Sequence, residues 1–137
     1  MSAAPFNANV PMVIDPSAWA RQSQPKVADR WKATARGDLF ASCPMATLEI
    51  LSSARDEEEY AVADFIFGAL PQAPVTASVC RAAVAAMREL GARRLLPAPD
   101  YLIAAAAAER GFGVLHADRH FDLLATVLPF ESVRLPE

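Results

Sequence analysis

Short apolar runs alternate along the chain with longer segments in which apolar residues recur every three or four positions. Residues 10–14 form the first such run, and Pro11 near its start is tolerated in a strand at the loss of one N–H. The run stops at Asp15-Pro16-Ser17, where Ser17 can cap a helix from Ala18, and Pro25 can open another near 26–36. Gly37-Asp38 breaks that helix, and residues 39–43 predict a second strand. Beyond Pro44 the period becomes helical: Leu48, Leu51 and Ala54 share one face, and Tyr60, Asp64, Phe67 and Leu70 fall in the next helix. Thr76 can cap a long helix with Val79, Ala83, Met87 and Leu90 at three- and four-residue spacing, and Gly91 ends it. Pro97 and Pro99 impose an extended approach to an alanine-rich helix over 100–109. Residues 113–116 predict a third strand, Asp118 a helix to about residue 126, and 132–135 a last strand. Short strands separated by helices predict an α/β fold, a short and mostly parallel sheet covered on both faces.

Composition bounds the molecule. A chain of 137 residues, 53% hydrophobic and 21% charged, suits one core and excludes global disorder. The division is a flexible N-terminal extension over 1–9 and one domain over 10–137. A net charge of -3 excludes a polybasic nucleic-acid binder held by bulk electrostatics. The longest apolar run, 101–108, is far short of the ~20 residues of a membrane span. The first residues show neither a basic region nor an apolar one of signal-peptide type. Cys43 and Cys80 read as buried reduced thiols. The expectation is a soluble cytoplasmic protein with no membrane partner.

The carboxylates carry the chemistry. Asp15 falls at the C-terminal end of the first strand, Asp118 just after the third, and Asp100 at the start of the helix leading into that strand. Ligands of open parallel sheets bind outside the carboxyl ends of strands. Glu49 stands in an otherwise apolar segment, where a charge is expensive unless something pairs with it. Each has a plainer explanation: Asp100 and Asp118 are good N-caps, Asp15 suits a turn, and Glu49 can face solvent. Converging at one rim, the four would repel unless a cation neutralised them, and oxygen ligands favour Mg²⁺ or Mn²⁺.

Four segments resemble the PIN-domain family. Val13-Ile14-Asp15-Pro16-Ser17-Ala18 is similar to its opening strand and Asp-x-Ser turn. Thr47-Leu48-Glu49-Ile50-Leu51 is similar to the helix that carries its acidic residue. Pro99-Asp100-Tyr101-Leu102-Ile103-Ala104-Ala105 resembles its most recognisable segment, and Val114-Leu115-His116-Ala117-Asp118-Arg119-His120-Phe121 its last acidic motif. Together they are most similar to the VapC toxins of bacterial toxin–antitoxin pairs. The resemblance implies a three-layer α/β/α PIN-like domain and a Mg²⁺-dependent endoribonuclease toxin, neutralised by a cognate VapB-type antitoxin. It places Asp15, Glu49, Asp100 and Asp118 as catalytic metal ligands, with Mn²⁺ an alternative to Mg²⁺. The implied chemistry is in-line attack of a metal-activated water on an RNA phosphodiester. A homodimer packed through apolar helices is also implied.

Two departures from the family pattern stand out. Pro16 replaces a common Thr, and His120 sits where many members carry a further Asp. Asp122, one turn beyond Asp118, is expected on the same side but off the family position. Ser17, Arg94 and His120 are the candidate substrate-binding residues, Arg94 with Arg93 as a guide for RNA phosphate. His116 and His120 are general-acid candidates, weighed against a strand end and a helix surface; Trp19 and Trp31 suit a core or partner contact. Two other functions compete: a catalytically silent PIN-like module that binds RNA or protein, and a receiver-like phospho-acceptor, which lacks a Lys at a strand end.

Overall fold

Alternate residues of the central strands enter different cores, and that alternation builds the molecule. The computed structural model describes residues 3–91 and 96–137. Strand β1 (Met12–Ile14) leads through α1 (Pro16–Trp19) and α2 (Ala28–Arg36) to β2 (Phe40–Ala41). Four helices follow: α3 (Pro44–Ser52), α4 (Glu57–Gly68), α5 (Ala77–Leu90) and α6 (Ala98–Arg110). The chain closes with β3 (Gly113–His116), α7 (Arg119–Leu124) and β4 (Glu131–Arg134). The sheet order is β2-β1-β3-β4, and every pairing is parallel.

Met12, Ile14, Phe40 and Leu115 point into one core with Ala18, Val27, Ile50 and Phe67. Val13, Ala41 and Val114 point into the other with Val79, Ala83, Ile103, Phe121 and Leu124. Helices α1, α2 and α4 therefore cover one face, and α5, α6 and α7 the other. This is the α/β/α sandwich, and β1 and β3 are buried throughout, as central parallel strands must be. Helix α6 runs through the second core with Tyr101 and 103–107 all buried; its alanines let it lie close to its neighbours.

The local chemistry explains most boundaries. Thr76 caps α5 by accepting from the Val79 N–H at 3.1 Å, and Gly91 ends it at φ 58°. Strands β1 and β2 are shorter than the apolar runs: β1 loses residues 10 and 11, and β2 keeps only two of the five expected. Helix α2 begins at Ala28 rather than residue 26, α7 stops at Leu124, and β4 begins one residue early. Helix α6 begins at Ala98, with Pro99 at a position whose N–H has no helical partner, so Asp100 lies inside the first turn and caps nothing. Ahead of β1, Phe6 packs on the first core, its N–H donates to Thr34 Oγ1 at 3.1 Å, and Arg30 stacks 4.7 Å from its ring centroid. Cys43 is buried and its thiol pKa is pushed up by burial, but Cys80 is exposed on α5 rather than buried; both are free. No helix among the described residues is long and apolar enough to cross a membrane.

Candidate functional site

The C-terminal ends of β1 and β3 lie side by side, because Asp15 N–H donates to Leu115 O at 3.0 Å. Two carboxylates follow from that register. Asp15 caps α1 and accepts from the Ser17 N–H at 3.0 Å. Ser17 itself is not the cap. Its hydroxyl donates to the same Asp15 oxygen and accepts from the Ala117 N–H at 2.9 Å. Ser17 thus fixes the Asp15 carboxylate and pins the turn after β3 to the turn after β1. Asp118 ends that second turn and caps α7, accepting from the His120 N–H at 3.0 Å.

Asp100 comes in from the first turn of α6 and stands at the centre. Its carboxylate raises the pKa values of both Asp15 and Glu49, and Asp118 in turn raises its own. Burial is the largest cause in all three shifts. It pushes Asp15 up to about 6, against the pull of the two Ser17 hydrogen bonds. Asp100 rises by burial although His120 draws it down, and Glu49 rises by burial and by Asp100. Asp100 is thus the carboxylate to which the other three are electrostatically coupled, and Asp118 and His120 bring ligand atoms within 4.8 Å of its own.

Glu49, on α3, supplies the clearest anomaly. Its Oε1 is buried with no hydrogen-bond partner among the described residues. An acceptor in that state costs about 1–3 kcal/mol unless something fills its lone pairs. An oxygen-rich set of mutually repelling, partly buried carboxylates with an orphaned oxygen fits a hard divalent cation.

His120 lies within the cluster. Its Nδ1 is 2.8 Å from Asp100 Oδ2 and 3.1 Å from Asp118 Oδ2. Asp122 does not share the site: it turns to β4, where Ser132 Oγ donates at 2.7 Å and Arg134 at 3.0 Å. Burial would raise its pKa, but these two donors and the nearby Arg134 charge hold it down. Arg94 and Arg93 lie outside the described residues.

A buried network that the sequence did not suggest supports the Asp118 turn. His116, fully buried at the end of β3, accepts the Asp118 N–H at Nδ1 over 3.1 Å. Its Nε2 stands 2.7 Å from Ser132 Oγ, whose own proton goes to Asp122. That pattern assigns the neutral Nε2–H tautomer, and burial holds the His116 pKa down to about 4. His116 therefore holds backbone in place instead of serving as a general acid.

At the first core, Trp19 packs 4.8 Å from Phe67 and Trp31 4.7 Å from Phe40, ring centroid to centroid. With Ile14, Ile66 and Leu70 they line an open apolar groove of about 440 Å³. Trp19 also borders a second hollow with Asp56, Glu58, Glu59 and Val62.

The PIN domain family model matches residues 12–127. Ribonuclease VapC18 of Mycobacterium tuberculosis is 37% identical over 120 residues, spanning 83% of this chain and 87% of that protein. Ribonuclease VapC51 of the same organism is 38% identical over 117 residues, 84% of this chain and 85% of its own. Among solved structures, DNA-bound VapBC from Salmonella typhimurium has a chain that superposes with a TM-score of 0.70 at 13% identity, over 90% of this chain and 96% of that one. VapBC-5 from M. tuberculosis superposes with a TM-score of 0.63 at 21% identity, over 92% and 99%. The family match runs from β1 through α7 and takes in all four carboxylates, and so the chain belongs to the PIN-domain family, alongside its VapC members.

Proposed function

We propose that this chain is a VapC-type endoribonuclease toxin whose activity requires a divalent cation held by Asp15, Glu49, Asp100 and Asp118. The observation that carries this is the convergence of the other three carboxylates on Asp100, with Glu49 Oε1 buried and unpartnered. The two relatives named ribonucleases cover more than four-fifths of the chain and supply the substrate class. When bound, Mg²⁺ or Mn²⁺ would offset charge on an RNA phosphate and make a water acidic enough to attack it in line. The protein's part is positional. Asp15 is held by Ser17, Asp118 by the α7 cap and His116, and Asp100 by the buried helix α6. Ser17 is spent on Asp15 and Ala117, so its role is to orient a ligand. Arg94 remains the candidate for phosphate contact.

Such a toxin needs a partner, and the structural neighbours are VapBC toxin–antitoxin complexes. The occupant we assign to the Trp19–Trp31 groove is a VapB-type antitoxin segment, amphipathic and basic. The groove offers aromatic anchors, and the neighbouring rim of Asp56, Glu58 and Glu59 favours positive charge. A homodimer belongs to the same proposal, with the exposed Val84 of α5 and Leu48 of α3 as apolar contact residues.

Cleavage of a mixed RNA pool, with and without EDTA, tests the enzyme. Wild type should cleave with Mg²⁺ or Mn²⁺ and stop in EDTA, and Asp15→Asn should lose at least about a hundredfold, the scale of one lost electrostatic group. Cleavage that survives EDTA would refute the metal mechanism. A well-folded wild type that is inert with both ions would leave a silent RNA- or protein-binding module.

A further inference from the structure

His120 is the residue at which this chain leaves the family's all-acid pattern, and the structure puts it among the acids. Its Nδ1 stands 2.8 Å from one Asp100 oxygen and 3.1 Å from one Asp118 oxygen. One donor atom from each of the three residues falls within a 4.8 Å span. Adjacent donors around an octahedral cation with bonds of about 2.1 Å lie about 3 Å apart, so the two separations suit neighbouring corners of one coordination sphere. The backbone that carries the ring is held as well, because the His120 amide N–H donates to Asp118 Oδ1 at the first turn of α7.

Resting on the metal-site assignment above, we propose that His120 is itself a cation ligand through Nδ1. It converts an all-oxygen site into a mixed nitrogen–oxygen one that takes Mn²⁺ in preference to Mg²⁺. The physical reason is donor softness. Carboxylates serve Mg²⁺ and Mn²⁺ alike, but Mg²⁺ keeps to oxygen donors, whereas Mn²⁺, a first-row transition ion, gains more from a nitrogen donor. An Asp at this position would add a third charged oxygen beside Asp100 and Asp118. A neutral imidazole supplies the donor without adding to their repulsion.

Electron spin-echo spectroscopy of Mn²⁺ bound to the full chain reads the proposal without reference to activity. Wild type should show the ¹⁴N coupling of a directly bound imidazole. The chain has only two histidines, and His116 is fully buried with both ring nitrogens engaged. His120→Asp and His120→Gln should each bind Mn²⁺ without that coupling. In His120→Asp the Mg²⁺ concentration that displaces half the Mn²⁺ should fall by about tenfold. Bound Mn²⁺ without ¹⁴N coupling in the wild type, or a coupling that persists in both variants, overturns the His120 assignment and leaves the carboxylate site standing. Mn²⁺ binding that is absent from wild type, or unchanged in Asp100→Asn, overturns the site and the proposal together.

Discussion

Asp15 carries the stored cost of the site. Its folded-state pKa of about 6 lies above the ordinary carboxylate value of 3.8, so the ionised form is disfavoured by folding. Below pH 3.8 that penalty is absent; it grows between 3.8 and 6 and is complete above 6, where it reaches on the order of 2–3 kcal/mol. Asp15→Asn should therefore raise the melting temperature at pH 7 in EDTA by about 5 °C, a gain that shrinks as the pH is lowered toward 4. A cation relieves the same penalty, so Mn²⁺ should stabilise wild type and give the variant little. A variant that melts below wild type in EDTA would show that Asp15 is not under strain. The sign for metal affinity runs the other way. Protons compete for Asp15, so Mn²⁺ affinity in a calorimetric titration should weaken by about tenfold per pH unit below about 6.

The positions of these carboxylates were legible from strand ends and helix starts, where Asp15 and Asp118 also cap the helices that follow. Their strain was not. It depends on how deeply each is buried and on the distance between Asp15 and Asp100, which are 85 positions apart in sequence. Cys43 is buried as expected, whereas Cys80, also expected buried, is exposed on α5. His120 was visible as a departure, but its place between two carboxylates comes from the angle at which α6 approaches α7.

Elements were recoverable where a local signal exists. Thr76 and Gly91 mark α5 on both sides, and Asp118 marks the start of α7. The start of α6 was misplaced by two residues because Pro99 was weighed as a break when it also suits an early helical position. The lengths of β1 and β2 were overestimated because sheet pairing, not apolar content, ends a strand, while β3 has the expected bounds. Gly113 shows what only the sheet reveals. A Cβ there would sit 2.9 Å from Glu131 O, since β3 is pressed between β1 and β4 at that point. Gly113→Ala should lower stability by about 1–3 kcal/mol in urea unfolding, through displacement of the β4 backbone. An unchanged midpoint would mean that β4 yields freely.

The β3–α7 turn makes a second prediction at this scale. His116→Asn can keep an acceptor near the Nδ1 position for the Asp118 N–H, while His116→Phe cannot. The Phe variant should lose about 1–3 kcal/mol from the unpaired groups and bind Mn²⁺ more weakly than the Asn variant. Equal Mn²⁺ affinities in the two would remove His116 from any role in placing Asp118.

At the scale of the molecule, the α/β/α layering followed from the order of short strands and helices, and the parallel sheet places Asp15 and Asp118 after adjacent strands. What the order could not supply was surface. Val84 is 48% exposed on α5 and borders an apolar hollow with Met87, Tyr101 and Leu102. If a dimer uses that seam, Val84→Glu should sediment as a monomer with a melting temperature close to that of wild type. A dimer that survives the substitution places the interface elsewhere. The net charge of -3 also changes meaning here. Four of the acids are coupled at one end of the sheet, where a bound divalent cation would offset about half of their charge.

The most direct test of the whole account is Asp100→Asn, measured by calorimetric Mn²⁺ titration and by RNA cleavage on the same preparation. Asp100 is the carboxylate that the other three share, so both metal binding and cleavage should be lost while the melting temperature in EDTA stays at or above that of wild type. Cleavage at the wild-type rate, or unaltered Mn²⁺ affinity, would contradict the assignment of this cluster as the catalytic metal site.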